Sequence, residues 1–352
     1  MQTIHGGDIY RNRIQIDFSV NINPLGIPEE VKDALHQAVD VCMQYPDMEA
    51  EQLKEALSRK FCLPKTYFLP GNGASELFLG ILHALKPKKV ILPVPSFYGY
   101  AYTAKAVGSE VICVPLKKEE DFLPGEELVL ALQEDAELLF LANPNNPTGK
   151  LMKPAYLENV LEVCKEKNIY VVLDECFIEF CEKENSIVQK LSTYRNLLIV
   201  RAFTKIYAIP GVRLGYLMCS DKELLQKIRG QLPEWNLSVF AEAAGIACLQ
   251  QQEYLKKTVE YVAAERKFLT EKLQNLGLQV ILSDANFILF YSEKPLYEKL
   301  LQKGILIRDC KNFQGLSEGY YRVAVKSRRE NEILEKAIGE CLSLIHISEP
   351  TR

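Results

Sequence analysis

The segment at residues 201–216, RAFTKIYAIPGVRLGY, contains two residues that can act on a small molecule. These are Lys205 and, eight residues later beyond a Pro–Gly turn, Arg213. A lysine that attacks an aldehyde must first lose its proton, which burial and neighbouring cations promote near neutral pH. An arginine can hold a phosphate through its planar fork of N–H donors. Pyridoxal 5′-phosphate (PLP) carries both an aldehyde and a phosphate, so this segment favours a PLP site.

Two blocks upstream of this segment add further polar residues. YVVLDECFIEF, residues 170–180, is an apolar strand that runs into Asp174, and NPNNPTG, residues 143–149, directly follows the apolar run LLFLA. A carboxylate at the end of a strand is where a pyridinium nitrogen finds its counter-ion. Ligands of open α/β sheets bind at the C-terminal ends of the strands, so we expect Asn146, Asp174 and Lys205 in one crevice.

Two more blocks have the composition of a ligand site but also allow a structural interpretation. GNGASE, residues 71–76, precedes a helical run, and its backbone N–H groups suit a phosphate; as an ordinary helix start, Ser75 would be the N-cap. PSFYGY, residues 95–100, follows a strand and is rich in aromatic residues. Its Phe97 can stack on a pyridine ring or pack in the core. Tyr98, Tyr100 and Tyr102 stay undecided between the same two roles.

Composition excludes several classes of protein. The chain has 352 residues, a formal net charge of −4, 48% hydrophobic and 25% charged residues, which is typical of a globular enzyme with no basic footprint for nucleic acid. No apolar run approaches the ~20 residues that span a membrane, and the N-terminus lacks the apolar core of a signal peptide. We therefore expect a cytoplasmic protein without a membrane or nucleic-acid partner. No metal site is predicted.

The ten cysteines contain no CxxC pair. Most of them lie in apolar segments, which predicts reduced and buried thiols with structural roles. Cys176 and Cys181 flank the end of the Asp174 strand, so one of them can line the site.

Alternating strands and helices predict an α/β fold with a mostly parallel sheet between helices. The pattern becomes helical from Phe240 to about Leu276 and then mixed, which indicates a smaller α+β domain. We predict a large domain at residues 46–240 and a small domain formed by residues 1–45 with 241–342. Residues 343–352, including His346, lack periodicity and are expected to be a non-native tail. The predicted strands are residues 89–94, 110–115, 137–142, 169–174, 196–201 and 214–219 in the large domain, and LQVIL, NFILFY and YYRVAV in the small one.

The order asparagine, aspartate, lysine, arginine at these spacings resembles the fold type I PLP-dependent enzymes, the class I/II aminotransferase superfamily. The resemblance implies PLP as the cofactor, a homodimer, and Lys205 and Asp174 as the catalytic residues. It also implies that Asn146 binds the phenolic oxygen, that Thr204 binds the phosphate, and that Tyr45 reaches the phosphate across the dimer interface, although a surface tyrosine is the alternative. The positions that match cofactor-binding residues are Tyr45, Gly73, Ala74, Ser75, Phe97, Asn146, Asp174, Thr204, Lys205 and Arg213.

Within this superfamily, Phe177 departs from the usual aminotransferase pattern, in which a tyrosine donates to the phenolic oxygen. The openings HGGDIY and IDFSVNINPLG resemble L-threonine-O-3-phosphate decarboxylases of cobalamin biosynthesis, which implies a phosphorylated amino acid as substrate. Arg308 and Arg322 lie in predicted strands, and internal ion pairs are the alternative role for both. The residues that the resemblance assigns to the substrate are His5, Asn23, Asn146, Arg308 and Arg322.

Two other functions remain open. A histidinol-phosphate aminotransferase shares every PLP motif and also takes a phosphate-bearing substrate. A PLP-sensing regulatory module is the third possibility. Two features disfavour it: we expect no room in the chain for an added DNA-binding domain, and the sequence keeps both Lys205 and Asp174.

Overall fold

The computed structural model describes residues 6–181 and 185–343. His5, which was predicted to bind substrate, and residues 344–352 of the predicted tail lie outside the described residues. The strands are β1 (Ile16–Asp17), β2 (Phe68–Gly71), β3 (Lys89–Val94), β4 (Glu110–Pro115), β5 (Leu138–Ala142), β6 (Tyr170–Asp174), β7 (Leu197–Ala202), β8 (Gly215–Met218), β9 (Gln279–Ile281), β10 (Phe287–Tyr291), β11 (Ile305–Leu306), β12 (Arg308–Asp309) and β13 (Tyr320–Ala324). The α-helices are α1 (Glu29–Ala38), α2 (Glu51–Phe61), α3 (Ala74–Leu85), α4 (Tyr98–Ala106), α5 (Glu126–Ala131), α6 (Pro154–Glu166), α7 (Phe203–Ile206), α8 (Lys222–Arg229), α9 (Val239–Leu249), α10 (Gln252–Asn275), α11 (Tyr297–Gln302) and α12 (Arg328–Ser343).

A seven-stranded sheet forms the centre of the molecule, in the order β2-β8-β7-β6-β5-β3-β4. Its strands are parallel except β8, which is antiparallel to both neighbours. Successive residues of β5 alternate between two apolar clusters, with Leu139 and Leu141 in one and Leu138 and Phe140 in the other. Both faces of the sheet are therefore covered, which is why its strands consist of almost continuous apolar residues.

A second, antiparallel sheet has the order β12-β13-β10-β9, and β1 pairs in parallel with β11. The N-terminal segment thus lies against the C-terminal part of the chain, as the predicted division into domains requires. The boundaries of the two domains stay a prediction.

All six strands predicted in the large domain are confirmed within two residues at each end, as are the three of the smaller sheet. The strands that the sequence did not predict are β2, whose four residues end in Pro–Gly, and the two-residue strand β1. The segment ILIRDC, which was predicted as one strand around Arg308, forms the two short strands β11 and β12. The last helix, α12, ends at Ser343, one residue inside the predicted tail.

The cysteines only partly follow the prediction of buried thiols. Six of the ten are buried, Cys113 and Cys176 are half-buried, and Cys42 and Cys62 are exposed. Across residues 6–181 and 185–343, no helix is long and apolar enough to cross a membrane.

Candidate active site

A cavity of about 440 Å³ opens at the C-terminal ends of the central strands. Asn146 follows β5, Asp174 ends β6, and Lys205 lies in α7 directly after β7. All three line the cavity. The structure therefore brings together the three residues that the sequence placed in one crevice, because parallel strands end at the same edge of a sheet.

The N-terminus of α3 forms one wall of this cavity. The helix begins at Ala74 with Gly73 as N-cap and without a side-chain cap, so Ser75 is not the cap that the alternative interpretation required. Ala74 and Ser75 both line the cavity. The first backbone N–H groups of a helix carry partial positive charge and have no partner within the helix, which suits an anion.

Arg213 lies directly over this helix start. A Cβ atom at Gly73 would lie 2.6 Å from Arg213 Nη2, and the φ of +81° at Gly73 also disfavours a side chain. Arg213 Nη1 donates to the carbonyl oxygen of Pro210 (3.1 Å), and none of the described carboxylates lies within ion-pair distance of its guanidinium. A guanidinium and a helix N-terminus thus converge on one position, where a phosphate has donors from both.

Lys205 lines the cavity with its pKa lowered to about 8. Burial is the largest cause, followed by the positive charge of Arg322; Arg213 lowers the pKa further, while Cys176 and Asp17 oppose the shift. Thr204, which precedes it, is buried and also lines the cavity. A substantial fraction of Lys205 is neutral near physiological pH, as a nucleophilic amine requires.

Asp174 presents its carboxylate to the same cavity. Its Oδ1 accepts from the backbone N–H of Cys176 (2.9 Å) and its Oδ2 accepts from the hydroxyl of Tyr100. Burial raises the pKa of Asp174, whereas the hydrogen bonds from Cys176 and Tyr100 lower it. Cys176 lines the cavity and Cys181 does not, which settles which of the two cysteines is at the site.

Phe97 and Tyr98 line the cavity, and so does the buried Tyr100 behind them. The Phe97 ring meets that of Tyr100 edge-on, with ring centroids 5.4 Å apart. Tyr102 is 61% exposed and does not line the cavity. Phe97, Tyr98 and Tyr100 therefore belong to the site, whereas Tyr102, two residues after the block, faces outward.

Two arginines from neighbouring strands also line the cavity. Arg308 of β12 and Arg322 of β13 are direct cross-strand partners, and both are buried. Arg322 Nη1 donates to Asn146 Oδ1, Nη2 donates to the carbonyl oxygen of Ser19 (2.8 Å), and Nε has no hydrogen-bond partner among residues 6–181 and 185–343. Burial, with a smaller contribution from Arg308, lowers the pKa of Arg322 to about 10. Arg308 Nη2 donates to Asn312 Oδ1 (2.7 Å).

The internal ion pairs considered as an alternative do not account for Arg322. Within the described chain, no carboxylate lies within ion-pair distance of its guanidinium. Two like charges directly opposite each other on adjacent strands are unfavourable without an anion. The arrangement is that of a site for an anionic ligand.

The structure contradicts the substrate-binding prediction for Asn23. Its side chain lies outside the cavity lining, where Nδ2 donates to the carbonyl oxygen of Ile206 (2.7 Å) and to Thr258 Oγ1 (2.9 Å). Its backbone N–H donates to the carbonyl oxygen of Lys205 (3.1 Å). Asn23 therefore supports the lysine segment, and it is Asn21 that lines the cavity, with a buried Oδ1 that has no hydrogen-bond partner in the described part of the chain.

Tyr45 does not reach the cavity of its own chain. It is 81% exposed and packs against Trp235, with ring centroids 5.0 Å apart. Its proposed role across an interface stays a prediction. The N-terminal arm does reach the cavity, because Gly6 lines it and Gly7 donates its N–H to Ser19 Oγ (2.7 Å).

Sequence reasoning missed Asn21, Cys176 as a contact of Asp174, and Lys105 and Gln314 in the cavity wall. Asn21 had a signal in the sequence, since it lies two residues from Asn23 in the same NINP loop, and Cys176 had one because it lies two residues after Asp174. Which of the two asparagines faces the ligand depends on the tertiary contacts of the loop.

The family model for class I and II aminotransferases matches residues 13–339. This chain belongs to that family. Family members use PLP, and the described residues fit it. The helix α3 N-terminus and Arg213 form an anion site, Asp174 is a half-buried acceptor, and Lys205 has an amine with a lowered pKa.

Relatives within the class I and II aminotransferase family include two kinds of enzyme. The chain is 35% identical to a threonine-phosphate decarboxylase of Salmonella typhimurium, over 93% of this chain and 91% of that protein. It is 33% identical to the crystal structure of a histidinol-phosphate aminotransferase from Clostridium acetobutylicum, with a TM-score of 0.88 over 94% of this chain and 99% of that chain. A histidinol-phosphate aminotransferase from Sinorhizobium meliloti, crystallised with pyridoxal 5′-phosphate, has the same fold at 24% identity, with a TM-score of 0.86 over 95% of this chain and 92% of that chain.

Proposed function

We propose that this protein is a PLP-dependent decarboxylase of a phosphorylated amino acid. L-threonine-O-3-phosphate is the substrate that we favour, and (R)-1-aminopropan-2-yl phosphate is its product, in cobalamin biosynthesis. The 35% identity to a threonine-phosphate decarboxylase supports this choice. Phe177 supports it as well, because it is buried in the cavity wall and has no hydroxyl to donate to the phenolic oxygen of the cofactor.

The pair formed by Arg308 and Arg322 is the observation that carries the proposal. Arg213 and the helix α3 N-terminus are assigned to the phosphate of the cofactor, and two further buried guanidiniums, those of Arg308 and Arg322, also line the cavity. One suits a carboxylate through a bidentate contact, and the other suits a second anionic group. A phosphorylated amino acid carries both anions, so the charge of the cavity matches the charge of this substrate class.

Each residue has a distinct task in this reaction. Bound PLP supplies an aldehyde for covalent capture of the substrate amine and a ring that withdraws electrons from Cα. Lys205 holds the cofactor and carries a proton on its Nζ, and Asp174 accepts from the ring nitrogen. Arg322 fixes the carboxylate, which leaves as CO2 while a proton takes its place on Cα. Arg308 holds the phosphate end of the substrate, and Asn146 binds the phenolic oxygen of the cofactor.

Amino transfer is the second candidate, and the 33% identity to a histidinol-phosphate aminotransferase favours it. The two reactions differ in the Cα bond that is held perpendicular to the cofactor ring. Orientation of the substrate alone can decide between them, because correct positioning contributes up to ~7–11 kcal/mol to a reaction barrier. Histidinol phosphate has no carboxylate, so in amino transfer two anions would face the two arginines only in the half-reaction with the keto acid.

A product assay with the purified, PLP-loaded protein tests the proposal. With L-threonine-O-3-phosphate and no keto acid, we expect release of CO2 together with 1-aminopropan-2-yl phosphate in equal amounts. The absence of CO2, with glutamate formed from 2-oxoglutarate when histidinol phosphate is added, would replace decarboxylation by amino transfer. If PLP binds but neither assay shows turnover, a PLP-sensing regulatory module would be the function that fits best.

We also propose that the protein acts as a cytoplasmic homodimer. Most of the ten cysteines are buried or half-buried thiols, as expected in a reducing compartment. Met43 and Tyr45 are 88% and 81% exposed, and Tyr45 packs on the partly exposed Trp235. Such an apolar patch is typical of a contact surface, and burial of Tyr45 against a second copy would bring it near the phosphate site. Sedimentation of the wild-type protein as a monomer would refute the dimer.

A further inference from the structure

Tyr100 lies behind the cavity and makes one polar contact. Its side chain is 1% exposed, and its ring stacks on Phe140 with centroids 5.0 Å apart and an interplanar angle of 12°. Phenylalanine would serve this packing equally well. The hydroxyl donates to Asp174 Oδ2, and it has no other hydrogen bond to the described residues. A buried hydroxyl is costly without a partner, so the contact with Asp174 is what makes tyrosine acceptable here.

Asp174 depends on neutral donors to stay ionised. None of the described lysines or arginines lies within ion-pair distance of its carboxylate. Burial raises the pKa of Asp174, and hydrogen bonds from Cys176 and Tyr100 oppose that rise. Burial and the charge of Asp174 in turn hold the pKa of Tyr100 well above its usual value, so the phenol keeps its proton and remains a donor.

We propose that Tyr100 is a positioning residue for the cofactor: its hydroxyl fixes Asp174 and favours the ionised carboxylate, which makes Asp174 the acceptor for the protonated ring nitrogen of PLP. This role concerns the cofactor alone, so it holds for decarboxylation and for amino transfer. The Phe97 ring, which lines the cavity, packs edge-on against Tyr100. One buried phenol thus contacts both the carboxylate and the aromatic side chain that are expected to flank the cofactor ring.

The test compares two cofactors in the Tyr100→Phe variant. Apoprotein is titrated by equilibrium dialysis with PLP and with 1-deazapyridoxal 5′-phosphate, in which a C–H group replaces the ring nitrogen. We expect the variant to bind PLP about tenfold more weakly, the effect of a one-unit change in the pKa of the acceptor. Its affinity for the deaza analogue should equal that of the wild type, because no ring N–H contacts Asp174 there.

Tyr102→Phe is the matched control, because Tyr102 belongs to the same helix but is 61% exposed and packs on Tyr98. It should bind both cofactors as the wild type does. Equal weakening of both cofactors by Tyr100→Phe would make Tyr100 a packing residue and overturn the proposal. Unchanged PLP affinity would overturn it as well.

A second series of variants distinguishes an effect through Asp174 from a general loss of stability. In an Asp174→Asn background the carboxylate is absent, so adding Tyr100→Phe should have no further effect on PLP affinity. A persistent loss of affinity in that background would mean that Tyr100 acts by another route. Thermal unfolding of each apoprotein shows whether the fold is intact.

Discussion

The lowered pKa of Lys205 predicts how fast the apoprotein captures PLP at different pH values. Only the neutral amine attacks the aldehyde. With a pKa of about 8, about one quarter of the lysine is neutral at pH 7.5, against about one in a thousand for an ordinary lysine of pKa 10.5. The capture rate at pH 7.5 should therefore be roughly 240-fold higher than that of an unperturbed lysine with the same access.

Arg322 provides a direct perturbation of this rate, because its charge is the second-largest cause of the shift after burial. Loss of the charge in Arg322→Met should move the midpoint of the rate profile to higher pH. The midpoint should stay below that of an ordinary lysine, since burial remains. Arg322→Lys keeps a positive charge and is the matched control, which should retain a midpoint close to the wild type.

The assay mixes apoprotein with PLP in a stopped-flow instrument and follows the visible absorption of the bound cofactor from pH 6 to pH 10. The rate should rise with pH and reach a plateau above the midpoint. A midpoint above pH 10 in the wild type would show that the cavity does not lower the pKa of Lys205. Identical profiles for Arg322→Met and the wild type would show that the charge of Arg322 does not act on the lysine.

Three further predictions test other parts of the site. Arg322→Ala should weaken substrate binding by about 30-fold or more and PLP binding far less, because a buried anion loses its partner; equal losses in dialysis would make Arg322 structural. Gly73→Ala and Gly108→Ala should each lower the free energy of unfolding, measured in urea, by about 1–2 kcal/mol, because both glycines have a positive φ. Only Gly73→Ala places a Cβ against Arg213, so only this variant should also weaken PLP binding. Glu175→Gln should lower the free energy of unfolding by about 3–5 kcal/mol, because it breaks the buried pair with Arg201, whereas Glu158→Gln, from a surface pair, should cost under about 1 kcal/mol. Similar costs for the two glutamate variants would contradict the burial argument.

The sequence predicted the central sheet well because its signal is local. Buried parallel strands are continuous apolar runs, and residues that directly follow such runs must meet at one edge of the sheet. This logic located Asn146, Asp174 and Lys205 without any knowledge of strand order. It failed for β2, where four residues ending in Pro–Gly gain their strand conformation from pairing with β8.

Residues whose role depends on a distant partner could not be assigned in the same way. Asn21 and Asn23 belong to one loop, and only the contacts of Asn23 with Ile206 and Thr258 turn it away from the cavity. Neither partner is recognisable from the NINP sequence.

Tyr100 shows the same limit for a residue that the local pattern did reach. The aromatic block predicted that one ring would stack on the cofactor, but the block has three aromatic residues and Tyr102 lies two residues after it. Tyr100 differs from Tyr102 because its hydroxyl donates to Asp174 at the end of β6, 74 residues away in the sequence. A hydrogen bond across that separation is a property of the sheet order β6-β5-β3, which brings α4 next to the end of β6. The chemistry of the acid is therefore determined by strand order as much as by its own position in the chain.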